Sequence, residues 1–181
     1  LFMGTPDFAV FTLKALLERG ENVVGVVTQT DKPRGRGYEL LPTPVKVYAQ
    51  EHNIPVYQPK TLRSEEFAAL LAEIDPELII VVAYGKILPL NVLEYPKHGC
   101  INVHGSLLPA YRGAAPMQRA ILDGCEETGV TTMQMNAGLD TGDMLLKAER
   151  PYIKGETAGE LTLRMAELGA NLLIDTLKQL E

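Results

Sequence analysis

The chain has 181 residues, 46% of them hydrophobic and 22% charged, with a formal net charge of −6. That length suffices for one well-buried domain and is short for two, and the composition excludes the disordered and low-complexity classes. An acidic total does not exclude nucleic acid, because a local basic cluster binds phosphate whatever the overall balance.

Two cysteines, Cys100 and Cys125, are too few for a disulfide framework and lack the His/Cys spacing of a zinc site, so reduced thiols, no metal and a cytoplasmic location are expected. No apolar run approaches the ~20 residues of a bilayer span, nothing at the start reads as a signal peptide, and no membrane partner is expected. Repeats and linkers are lacking, which predicts a single domain over 1–181, expected to be monomeric. Because Leu1-Phe2-Met3 already reads as a strand, the chain is expected to be trimmed at its amino end.

Leu1 to Met3 run into Gly4-Thr5-Pro6-Asp7, where Thr5 suits a helix cap and Pro6 the first helical position. Ala9, Val10, Leu13, Leu16 and Leu17 recur at helical spacing until Gly20. The glycine fingerprint of a dinucleotide site is missing, so a tight connection packing a helix on a sheet is the better reading. The β-branched run Val23–Thr28 predicts a parallel strand covered on both faces. Residues 30–42 show no period. They carry Lys32, Arg34 and Arg36 among glycines, with Tyr38 able to stack, as either a basic ligand-binding loop or a solvated one.

Thr43-Pro44 opens a helix to about Glu51, and Ser64 caps another whose buried stripe is Phe67, Leu70, Leu71 and Ile74. The run 77–83 is the strongest strand and is expected at the centre of the sheet; the loop 84–89 after it is a candidate pocket wall. A helix follows Pro116, strands are predicted over 130–135 and 144–148, and Thr157-Ala158-Gly159-Glu160 is a capping box for a long final helix. Alternating strands and helices of this kind predict an α/β fold: a Rossmann-like, doubly wound, mostly parallel sheet with helices on both faces.

Chemistry concentrates in the stretch 100–113. Period-two alternation sends Asn102 and His104 to one face of a strand and Ile101 and Val103 to the other, so an amide and an imidazole share a strand's carboxyl end, where open α/β sheets bind ligands. A lone histidine there is more often structural than catalytic, and Asp140 and Asp143 in a turn-rich link suit bracing as well as catalysis.

The whole pattern Asn102-x-His104-x-Ser106-Leu107-Leu108-Pro109, with Leu139-Asp140-Thr141-Gly142-Asp143 later, resembles the folate-dependent formyltransferases. Among them it is most similar to those acting on methionyl-tRNA, a likeness that extends to the 31–46 segment and covers essentially the whole chain. The resemblance implies 10-formyltetrahydrofolate as donor and initiator methionyl-tRNA as acceptor, with direct attack by the amine and no acyl-enzyme. It implies Asn102, His104 and Asp140 as catalytic residues, Ser106, Leu107, Leu108, Pro109 and Leu88 at the folate, and Lys32, Arg34 and Arg36 at the tRNA. Glu39 stands where relatives are commonly basic, which dilutes the charge of that loop.

Family members of this type carry a second, β-barrel domain not contained in these 181 residues, so the chain is expected to bind folate but to handle tRNA weakly. Alternatives are a formyltransferase for glycinamide ribonucleotide or a nucleotide-linked amino sugar, or a non-catalytic RNA-binding module. An aspartic protease would need two Asp-Thr-Gly motifs in an all-β setting, and this chain has one.

Overall fold

The computed structural model describes residues 1–181. Strand β1 (Phe2–Gly4) turns sharply into helix α1 (Asp7–Glu18). The turn is tight because Gly4 has no Cβ: one placed there would lie 2.8 Å from both the Ala9 Cβ and the Val82 carbonyl oxygen. Thr5 does not cap α1 as its position predicts. Pro6 is the cap residue, without a side-chain bond, while the Thr5 hydroxyl donates to the Tyr84 carbonyl at 3.0 Å and so ties this turn to a neighbouring loop.

Strand β2 is only Val26–Val27, shorter than the predicted run, because Val23 and Val24 lie before the register in which Phe2 faces Val26 and Met3 faces Val27. Residues 30–42, expected to be an irregular loop, instead form a hairpin of β3 (Lys32–Arg34) and β4 (Glu39–Leu41). Every residue of both strands is exposed. With no core to cover, nothing imposes the apolar alternation by which strands are recognised. Helix α2 (Pro44–Glu51) is capped by the Thr43 hydroxyl, β5 (Val56–Tyr57) follows, and α3 (Glu65–Ile74) is capped by Ser64.

Strand β6 (Ile79–Val82) is wholly buried, the unpredicted short helix α4 (Leu90–Leu93) follows, and β7 (Cys100–His104) carries the central motif. Helix α5 (Pro116–Leu122), β8 (Glu127–Gln134), β9 (Met144–Pro151) and α6 (Ala158–Leu180) complete the chain. Thr157 and Glu160 form the predicted capping box at the start of α6.

Seven strands make one sheet in the order β5-β2-β1-β6-β7-β8-β9, parallel from β5 to β7 and antiparallel beyond. Side-chain alternation splits the core in two. Phe2, Ile80, Val82, Ile101 and Val103 pack under α1, α2, α5 and α6, whereas Met3, Ile79, Val81 and Cys100 pack under α3 and α4. Strands β1, β6 and β7 thus bury apolar side chains on both faces, and each fully buried Leu, Ile or Phe contributes about 1.5–3 kcal/mol before the entropy of ordering it. Burial also pushes the Cys100 thiol up to about 12. This is the expected doubly wound fold. No helix is long and apolar enough to cross a membrane.

The chain winds outward from β1 to β5 and then returns to β6 on the other side of β1, so strand order reverses between β1 and β6. Their carboxyl ends diverge there, which opens a crevice of the kind that holds ligands in such sheets.

Candidate active site

A cleft of about 790 Å³ opens at that reversal, lined by segments following β1, β6 and β7 and by the link between β8 and β9. Its apolar wall includes Phe8, Val81, Ile87, Leu88, Met133 and Met135; its polar groups include Asn102, His104 and Asp140. A cleft this large, mostly apolar with a few convergent polar groups, is the usual form of a small-molecule site.

Asn102 pairs in register with Val81 on one side and Met133 on the other, which fixes it in the middle of the sheet. His104, two residues on, shares its face at the strand's end, and its imidazole is nearly buried. Nε2 lies 2.8 Å from the Tyr111 carbonyl oxygen, which can only accept, so Nε2 carries the proton. Nδ1 therefore faces Asp140, with Oδ2 at 3.6 Å. These two side chains are only 9% and 10% exposed, so water screens their interaction weakly.

The same Asp140 oxygen accepts the Gly113 backbone N–H at 2.7 Å, and Arg112 Nε donates to the Asp140 carbonyl at 3.0 Å. Asp140 holds a left-handed backbone, φ 51°, as does Tyr111 at φ 57°. Both residues beside the imidazole thus adopt a conformation that side-chain-bearing residues avoid.

The structure brings Asn102, His104, Asp140 and Leu88 to the cleft. Ser106, Leu107, Leu108 and Pro109 follow His104 but do not line it. Ser106 Oγ donates to the Ala110 carbonyl at 2.6 Å, and the Leu108 N–H donates to Thr131 Oγ1 at 3.1 Å. Thr131 Oγ1 in turn donates to the Ser106 carbonyl at 2.7 Å, and Lys147 Nζ donates to the Leu108 carbonyl. Ser106 and Leu108 are buried, Leu107 is half-buried and Pro109 exposed. This segment is braced from beneath by β8 and β9.

Lys32, Arg34 and Arg36 belong to the exposed hairpin, apart from the cleft lining. Its root touches the cleft wall: Lys32 Nζ donates to Gln29 Oε1 at 2.8 Å, and Gln29 Nε2 donates to the Tyr84 carbonyl at 2.8 Å. Glu39 pairs in register with Arg34, so a carboxylate does sit beside the basic row. Sequence reasoning does not find the Tyr111 carbonyl or the Gly113 N–H, because backbone groups leave no residue-type signal; the glycines of 105–113 are their only trace. No group of three or more His, Cys, Asp or Glu side chains is placed to hold a metal ion.

Residues 1–177 match the family described as formyl transferase. The chain belongs to the formyl transferase family. Within it, the chain is 56% identical over all 181 residues to the methionyl-tRNA formyltransferases of Geobacter metallireducens and Desulforamulus reducens. It spans 58% and 57% of the length of those two relatives. Its fold is also that of a solved phosphoribosylglycinamide formyltransferase from Streptococcus pneumoniae, at TM-score 0.79 and 21% identity over 99% of this chain and 96% of that one. The formyl transferase fold thus accounts for the doubly wound sheet.

Proposed function

We propose that this chain is the formyl-transferring part of an enzyme that moves a formyl group from 10-formyltetrahydrofolate to the α-amino group of methionyl-tRNA. What carries the reading is the placement of Asn102, His104 and Asp140 on one cleft, in a chain 56% identical throughout to methionyl-tRNA formyltransferases.

The cleft's size and apolar wall suit a flat pterin, with Leu88 against it. Ser106, Leu107, Leu108 and Pro109 serve the donor by shaping the loop that leaves His104. The bound donor supplies an activated formyl carbon. Asn102 offers an amide N–H to the oxyanion that develops on that carbon, a contact typically worth about 3 kcal/mol of barrier. Asp140 takes the amine's proton through water, with His104 Nδ1 3.6 Å away, and that proton passes to the tetrahydrofolate nitrogen that leaves as the bond to the formyl carbon breaks. Lys32, Arg34 and Arg36 meet tRNA phosphates. The reading carries with it a monomeric, cytoplasmic enzyme.

Calorimetry with 5-formyltetrahydrofolate, which cannot transfer its formyl group in this way, tests the donor site. Saturable binding is expected, weakened at least tenfold by Ile87→Glu, a cleft residue 74% exposed and so free to change without disturbing the core. A folded chain that binds no folate would end the reading and bring forward RNA binding by the hairpin.

The hairpin gives an independent expectation. Converting Lys32, Arg34 and Arg36 together to Ala should weaken binding of an acceptor-stem RNA and reduce the slope of log K against log salt by about 2–3, with folate binding unchanged. Fluorescence anisotropy across a salt series measures both quantities. An unaltered slope would remove these residues from the RNA.

A further inference from the structure

The turn after helix α5 grips the loop beside the imidazole through one side chain. Tyr111 Oη donates to Asp123 Oδ2 at 2.7 Å and lies 3.0 Å from Cys125 Sγ. Its single proton goes to the carboxylate, so the thiol donates to the phenol oxygen. Arg119, on the same helix, sets its guanidinium 5.6 Å from the Tyr111 ring centroid and donates from Nη2 to the Arg112 carbonyl at 2.5 Å. The 111–112 segment is therefore held at three points by α5 and the turn that follows it.

Tyr111 needs such a hold because its φ of 57° lies in the left-handed region. A side-chain-bearing residue stays there only when its surroundings over-determine the backbone. Its carbonyl meanwhile accepts the Nε2 proton of His104 at 2.8 Å. A peptide rotated toward a relaxed conformation would swing that oxygen away, leaving the imidazole free to exchange tautomers and to turn from Asp140.

We propose that Tyr111 is a positioning residue: its hydroxyl, anchored on Asp123 and Cys125, keeps its own carbonyl against His104 and so fixes the imidazole with Nδ1 toward Asp140. This rests on the catalytic reading of His104 given above. Tyr111 touches no reacting atom and acts through His104.

The test is Tyr111→Phe, which keeps the ring under Arg119 and removes only the hydroxyl. The paired variant Asp123→Ala/Cys125→Ala leaves Tyr111 intact and removes its anchors; Asp123 is exposed and Cys125 half-buried, so the core is untouched. Imidazole nitrogen NMR on histidine-labelled protein reads the tautomer directly, with His104 distinguished from His52 and His98 by its loss in His104→Gln.

Expected are loss of the pure Nε2–H signature at His104 in both variants and a fall in kcat of about tenfold or more, as a misplaced catalytic group produces. KM for the folate donor should stay within twofold. Combining all three substitutions should cost no more than either set alone, since both remove one contact. A folded Tyr111→Phe that keeps the His104 tautomer, or an anchor variant that leaves tautomer and kcat untouched, would overturn the proposal. Loss of the tautomer in both variants of a chain whose wild type transfers no formyl group would support the anchor and count against the transfer reading alone.

Discussion

Asp140→Asn is expected to slow formyl transfer by about 100- to 10,000-fold, the usual weight of a positioned acid–base group, while folate affinity and melting temperature stay close to wild type. The substitution is nearly isosteric. The side-chain oxygen that accepts the Gly113 N–H at 2.7 Å is retained, so the loop keeps its brace. What disappears is the charge facing His104 Nδ1 across 3.6 Å and the site at which the amine's proton is taken up.

Asp140→Ala separates the two tasks. It also leaves the Gly113 N–H without its acceptor, which costs about 1–3 kcal/mol and lowers the melting temperature by several degrees in a domain of this size. Steady-state rates with thermal melts on both variants make the comparison. An Asn variant with near-normal turnover would show that the carboxylate only braces the turn.

The sequence makes the frame of this site readable and leaves its closure unread. The buried run 79–82 has no periodicity to exploit, yet its unbroken β-branched character belongs to a strand covered on both faces, and β6 lies at the middle of the sheet. Asn102 and His104 are legible as a pair because period two is a property of the strand itself. Asp140 is not. Its meeting with His104 depends on β8 and β9 folding back antiparallel beside β7, a long-range arrangement that local spacing does not encode, and only the resemblance joins them.

The hairpin at 32–41 is hidden for the opposite reason: it covers no core, so its strands carry no apolar alternation. The Ser-Leu-Leu-Pro segment is recognised as a motif, but its burial is visible only in three dimensions. Leu108 is 2% exposed, and a charged residue there would disrupt the loop as a whole, which makes Ile87 the sounder probe of the cleft.

Gly142→Ala is expected to damage both stability and turnover, although residue 142 does not itself line the cleft. A Cβ at that position would lie 1.7 Å from the Gln134 carbonyl oxygen and 2.9 Å from its carbon, a clash with backbone that no rotamer relieves. Gln134 is the last residue of β8, and its N–H donates to the Asp143 carbonyl at 2.8 Å, so the clash sits where the 136–143 link rejoins the sheet. Relief requires that link to move. Overpacking of this kind costs about 1–3 kcal/mol or more, lowering the melting temperature by several degrees.

The displacement reaches Asp140 two residues away, whose left-handed backbone is held in part by Arg112 on its carbonyl and Gly113 on its side chain. A shift of about 1 Å in a catalytic group is enough to lose on the order of 100-fold in rate. Gly142→Ala should therefore lower kcat even at temperatures where the protein is fully folded, and more than the exposed Gly37→Ala, where nothing lies within 4 Å of the added methyl. If turnover per folded molecule were unchanged, the 136–143 link would be carrying Asp140 independently of its seat on β8. The glycine of the Asp-Thr-Gly motif would then be a packing requirement of the sheet with no part in placing the carboxylate.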